Sequence, residues 1–244
     1  MKAKQIVGGI ALFFGVLLVT LVVRTPLASL QSRMPIMLQD TETFQGSLLN
    51  GQVKNLGTVN GPVDLKWQLD VLKLFTAKLG GDVEFDWLQA TGNGQLAVAL
   101  DKTVHLSDTI ATSPASLIET FLPFVRFGGK LRLELDEGSA SQDAYGPFSG
   151  ELTWQQASVT VSEQASLGDI TLTLTEQEGN THGDLSSTGG DVGIKGNITL
   201  SPSGDYSVDL SARAEASASR MVRNTLAQIA EQQSDGSYRI KQSG

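Results

Sequence analysis

The chain contains no cysteine. That excludes disulfides, thiolate metal sites and a cysteine nucleophile. It has two histidines, and aromatic residues make up 6% of the sequence. Cations are the minority charge: 18 Lys and Arg stand against 26 Asp and Glu, a formal charge of −8. Binding of nucleic acid through phosphate neutralisation needs clustered cations, so the balance argues against a nucleic-acid partner. The same sign disfavours a general electrostatic grip on anionic lipid.

Charge is absent altogether from residues 6–23, IVGGIALFFGVLLVTLVV. As a helix this run is about 27 Å long, close to the hydrocarbon thickness of a thin bilayer. Cleaved signal peptides have a shorter apolar core and small residues at the cleavage site. Here the run leads directly into Arg24, Thr25 and Pro26. The sequence therefore predicts a cytoplasmic tail over 1–5, an uncleaved anchor over 6–23, a linker over 24–42 and a β-rich domain over 43–244. Lys2 and Lys4 on one side nearly balance Arg24 and Arg33 on the other. The character of the remaining chain breaks the tie, giving a cytoplasmic N-terminus and a periplasmic domain.

Beyond the linker, apolar residues recur at period two. Val63, Leu65, Trp67 and Leu69 alternate with polar residues, as do Leu131, Leu133 and Leu135. Ile170, Leu172 and Leu174 continue the pattern, followed by Ile198, Leu200, Val208 and Leu210. Such short runs predict strands with one apolar and one polar face. Turns are predicted at Gly80-Gly81-Asp82, Gly92-Asn93-Gly94, Gly128-Gly129, Gly189-Gly190-Asp191 and Ser201-Pro202-Ser203-Gly204-Asp205. Two helices are predicted, over 113–122 with Ser113 as N-cap and over 216–233, with a single turn over 70–75.

Roughly ten strands and two short helices cannot cover every apolar face in two layers. Apolar area removed from water is worth about 25 cal/mol per Å². The expectation is therefore a mostly β, curved, largely antiparallel sheet closed on itself as a sandwich, open barrel or half-pipe. A filled interior is the default. The alternative is a groove for an apolar ligand or a partner's strand.

No catalytic constellation is present. His105 and His182 stand alone, with no metal-ligand spacing around either. Glu84 with Asp86, and Glu134 with Asp136, lie two apart on strands and share the polar face with other solvated groups. No serine elbow or phosphate loop occurs. Asp235-Gly236-Ser237 lacks further oxygen ligands for calcium and reads as a turn before a last strand. Trp67, Trp87 and Trp154 are expected in the core. No enzyme activity, cofactor or metal is expected.

Phe44-x-Gly46-x-Leu48 recurs as Phe148-x-Gly150-x-Leu152. The echo divides the β-rich region into two related halves, 43–125 and 126–244. The order of Phe44, Gly46, Leu48, Gly51 and Trp67, then Gly150, Leu152, Trp154 and Ala157, then Gly204 and Tyr206, then Asp235, Gly236 and Tyr238 is similar to protein N of the bacterial type II secretion system. The likeness covers nearly the whole chain, although Leu49 departs from the aromatic residue often found there. It implies an inner-membrane accessory component that contacts other secretion components and carries no catalytic residues. The strand–turn grammar also resembles the AsmA-like envelope proteins, which implies lipid as an alternative partner. External protease on spheroplasts should digest the domain beyond residue 24; protection would reverse the predicted orientation.

Overall fold

The computed structural model describes residues 43–58, 61–70, 78–120, 124–141, 144–160 and 163–244. The predicted anchor, tail and linker lie outside these residues, as do the 70–75 turn beyond Asp70 and the end of the first helix at Pro123. Among the described residues, no helix is long and apolar enough to cross a membrane. The chain forms two compact units that divide between Leu88 and Gln89, so each holds one copy of the Phe-x-Gly-x-Leu sequence.

The first unit is an antiparallel meander of β1 (Thr43–Gly46), β2 (Asn50–Thr58), β3 (Gly61–Leu69) and β4 (Lys78–Trp87). Phe44, Val53, Leu65 and Phe85 stand opposite one another across the four strands. Val53 is buried at the centre of this row.

The second unit contains β5 (Ala90–Ala99), β6 (Val104–Pro114), β7 (Arg126–Ala140), β8 (Tyr145–Thr160), β9 (Gln164–Gln177) and β10 (Asn180–Thr188). It continues with β11 (Val192–Leu200), β12 (Tyr206–Ala214), β13 (Glu231–Gln232) and β14 (Tyr238–Ser243). Within this unit the strands pair antiparallel in chain order to β12, then β14 and β13. Period-two alternation thus becomes one continuous apolar face. Leu133, Leu152, Leu172, Leu185, Gly196, Leu210 and Ile240 form one row across seven strands. Leu135, Gly150, Leu174, Gly183, Ile198 and Val208 form the next.

This sheet is open, and among the described residues of the unit no sandwich forms. Its strands make their close contacts with neighbours one or two places away. In a flat sheet, strands two places apart stand nearly 10 Å from each other. Here Cα atoms of β9 and β11, which flank β10, approach within 8 Å of each other, and Leu172, Leu174 and Ile198 of those two strands fill the space over Gly183. The sheet is therefore sharply curved at β10. At one end, the start of β8 leans across the β9–β10 hairpin: Phe148 N–H donates to Thr181 Oγ1 at 3.0 Å. Tyr145 N–H reaches the Pro202 carbonyl, in the turn after β11, at 2.9 Å.

Three predicted turns prove to be strand interior. Gly81 lies in β4, Gly94 in β5 and Gly129 in β7. A Cβ at these positions would come within 2.0, 2.3 and 2.3 Å of the adjoining strand. These glycines serve close approach and bulges, and not chain reversal. Turns at Gly189–Asp191 and Ser201–Asp205 form as predicted.

The first helix is also corrected. Ser113 and Pro114 pair with Leu131 and Lys130 as the end of β6, leaving only a 3-10 helix, Ala115–Thr120. Strand pairing outcompetes the Ser cap there. The second helix, α1 (Arg220–Ile229), is shorter than predicted. Ser219 is its N-cap, accepting from Val222 N–H at 3.2 Å, and Glu231–Gln232 is strand β13.

Gly150 supports the curved pairing of β7 and β8. Its φ is +146°, and a Cβ would sit 2.2 Å from the Glu134 carbonyl oxygen. Gly196 makes the same approach to the Asp209 carbonyl, also at 2.2 Å. Gly150→Ala should cost ~2 kcal/mol or more in urea unfolding. Gly179→Ala, in an open turn with φ +81°, should cost only about 1 kcal/mol.

Candidate functional site

The inner face of the second unit is the strongest candidate site. It is only half covered: among the described residues no large side chain is completely buried. The expected filled interior is therefore not what forms. Trp154 is half-buried, its Nε1 donating to the Gly128 carbonyl at 2.9 Å and its ring 6.0 Å from that of Phe127. In the first unit Trp67 is likewise half-buried and donates to the Leu48 carbonyl at 2.9 Å. Trp87 Nε1 is occluded and has no hydrogen-bond partner among the described residues.

Helix α1 covers one end of the inner face. Val222 and Leu226 descend onto Val192, Ala212 and Tyr238, forming the main buried cluster. Burying such side chains is worth about 1.5–3 kcal/mol each. The connections fix where the helix starts. Asp191 N–H donates to the Ser166 carbonyl at 2.7 Å, and Glu215 N–H to the Asp191 carbonyl at 2.9 Å. Ser219 Oγ donates to Glu163 Oε2 at 3.1 Å. Beneath the helix a cavity of about 620 Å³ remains. Ala165, Leu167, Val192, Ile194 and Ala212 line its floor; Met221, Val222 and Leu226 line its roof; Glu163, Asn224, Thr225 and Gln228 supply its polar rim. That volume suits a small apolar ligand. The apolar face is legible in the sequence but this cavity is not, because the residues that line it, from Glu163 to Ile240, are far apart along the chain.

The outer face is polar. Arg239 Nε and Nη2 clasp Asp209 at 2.8 and 2.6 Å, and Lys241 Nζ lies 3.4 Å from the same carboxylate. The Arg239 hydrogen bonds hold the Asp209 carboxyl down at about 2, with Lys241 adding to the effect. Arg213 pairs with Asp235 at 3.0 Å. Asp235 is also held low, first by the Ser237 hydroxyl.

The residues singled out in the sequence are divided between the two units. Gly46, Gly51 and Trp67 stand side by side in the first unit, with Phe44 two positions along β1 from Gly46. Phe148, Gly150, Leu152 and Trp154 lie along β8, Phe148 covering Gly138. Ala157 is buried at a bulge opposite Gly168. Gly204 lies 3.6 Å from the Tyr145 ring, measured from its added Cβ. Tyr206 OH accepts from Gln242 at 3.1 Å. Asp235 Oδ1 accepts from Ser237 N–H at 3.0 Å and closes the turn at Gly236 before Tyr238.

The titratable candidates are likewise divided between the units. His105 sits between Ala97 and Ser139, and His182 Nδ1 lies 3.4 Å from Thr199 Oγ1. Glu84 pairs with Lys66 at 3.2 Å, while Glu134 bonds Arg132 and faces Glu151. Among the described residues, no group of three or more His, Asp or Glu is placed to hold a metal ion.

Because folding depresses the Asp209 value, its stabilising contribution is complete above the ordinary carboxylate range near 3.8 and fades as pH falls towards about 2. Thermal melts between pH 4 and pH 2 should show the fall, and Asp209→Asn should lack this share of it.

No curated protein and no solved structure matches the chain. The family model for type II secretion system (T2SS) protein N matches residues 40–241. This span includes both units and every strand to the middle of β14, and it places the chain in the type II secretion system protein N family.

Proposed function

We propose that this chain is an inner-membrane-anchored, periplasmic accessory component of the type II secretion system that works by protein–protein contact. The observation that carries this reading is the family match over residues 40–241. The family is one of secretion accessory components. The architecture fits such a role: the polar outer face, with its ion-paired Arg239, Lys241 and Asp209, is a surface for docking. The anchor over 6–23 would hold the domain against the membrane from which exported proteins are collected. The transported folded proteins would cross the outer membrane through other components. Affinity purification of the tagged chain from detergent-solubilised membranes should recover other secretion components. Recovery of none, together with normal secretion by a deletion strain, would reject the proposal.

A second reading is favoured by one specific observation, the half-open inner face with its 620 Å³ cavity beneath α1. Here the domain binds lipid or another hydrophobe, as the AsmA-like resemblance implies. Native mass spectrometry of residues 25–244, purified without detergent, should then show a lipid adduct. Ala212→Trp, which fills the cavity floor, should remove it. A domain without adduct overturns this reading.

A further inference from the structure

The cavity beneath α1 is selective in the charge of what enters it. Among the described residues, Glu163 is the only charged group on its lining. Each cation next to a lining residue in the chain points elsewhere. Strand alternation turns Lys195 away from the face of Ile194, and Arg213 away from that of Ala212. Arg239 and Lys241 likewise point away from the face of Ile240. On a helix, residues two apart do not share a face, so Arg220 is turned from the floor that Val222 meets. Arg223 Nη2 donates to the Glu215 and Ala216 carbonyls, at 2.6 and 3.3 Å, before the helix begins.

Size is the second constraint. A methylene fills about as much space as a water molecule in the liquid, roughly 30 Å³. The cavity of about 620 Å³ therefore holds on the order of twenty methylenes. That suits one long alkyl chain and not the paired chains of a diacyl lipid. The mouth adds hydrogen-bonding groups without charge. Asn224, Thr225 and Gln228 stand there beside Met221, which is 49% exposed. These polar side chains have no hydrogen-bond partner among the described residues. A phosphate or carboxylate at this rim would meet Glu163 and no cation. Desolvating an unpaired charge is costly, whereas hydroxyl groups are matched by the amides and hydroxyl already present.

We infer that the cavity takes a single-chain amphiphile with an uncharged, hydroxyl-bearing head, of the monoacylglycerol type. Its alkyl chain lies over Leu167, Ile194 and Leu210, and its head meets Asn224, Thr225 and Gln228. The inference rests on the reading of this domain as a hydrophobe-binding one and names the class of its ligand.

The test uses the full chain in isolated membranes and photoreactive probes that share one diazirine-bearing alkyl chain. Their heads are a glycerol ester, a phosphate and a trimethylammonium group. After illumination, labelled peptides are read by mass spectrometry and normalised to total membrane labelling. The glycerol probe should label α1 and the start of β9 at least about tenfold more than the phosphate probe does. Gln228→Lys changes an exposed rim position and leaves the floor intact. It should raise labelling by the phosphate probe roughly threefold to fivefold and leave that by the glycerol probe unchanged. Equal labelling by all heads, stronger labelling by the phosphate or trimethylammonium probe, or indifference of the phosphate probe to Gln228→Lys would overturn the inference while keeping a hydrophobe site. Absence of label at these peptides from every probe would overturn it too. The lipid adduct in native mass spectrometry is read separately, so failure of the head-group preference does not decide the broader reading.

Discussion

The constraint on which the second unit depends is that one apolar face spans many strands, while the unit's described residues form no second sheet of their own. Rows such as Leu133, Leu152, Leu172 and Leu185 hold together through cross-strand contact. Leu172, Leu174 and Ile198, on the strands beside β10, also fill the space that Gly183 leaves open. Where curvature is insufficient, α1 supplies Val222 and Leu226 as a local cover. The face is thereby shielded in part and left accessible in part.

Glycine makes the bending feasible. Gly150 and Gly196 approach the carbonyls of Glu134 and Asp209 so closely that any side chain would collide with backbone. The repeated Phe-x-Gly-x-Leu sequence is thus a backbone device. Its glycine permits close strand approach, and in the second unit its leucine supplies the inner row. Phe148 has a related task, covering Gly138 where β8 crosses the end of the sheet.

Much of this was legible in the sequence. The alternation of Leu131, Leu133 and Leu135, or of Ile170, Leu172 and Leu174, reports strand and face directly, because pleating has period two. The Asp235–Tyr238 turn was legible for a local reason: Asp235 bonds the backbone two residues on. What failed was nonlocal. Gly81, Gly94 and Gly129 have the composition of turns, but a neighbouring strand decides their role. Ser113 and Pro114 form a good helix start in isolation and lose to pairing with β7. The open sheet and the cavity under α1 depend on how strands stack in space. No residue pattern within a single segment encodes them.

Strand order in the second unit follows chain order almost throughout, with only β13 and β14 exchanged. Each strand to β12 finds its partner in the segment just made, so the loops to be closed during folding are short. Low sequence separation between partners favours rapid folding. The sheet can therefore assemble hairpin by hairpin from its N-terminal side, and can lengthen over evolution by duplicating a hairpin without rerouting the chain. An architecture with this property has a built-in ruler: its span is set by how many hairpins are strung together.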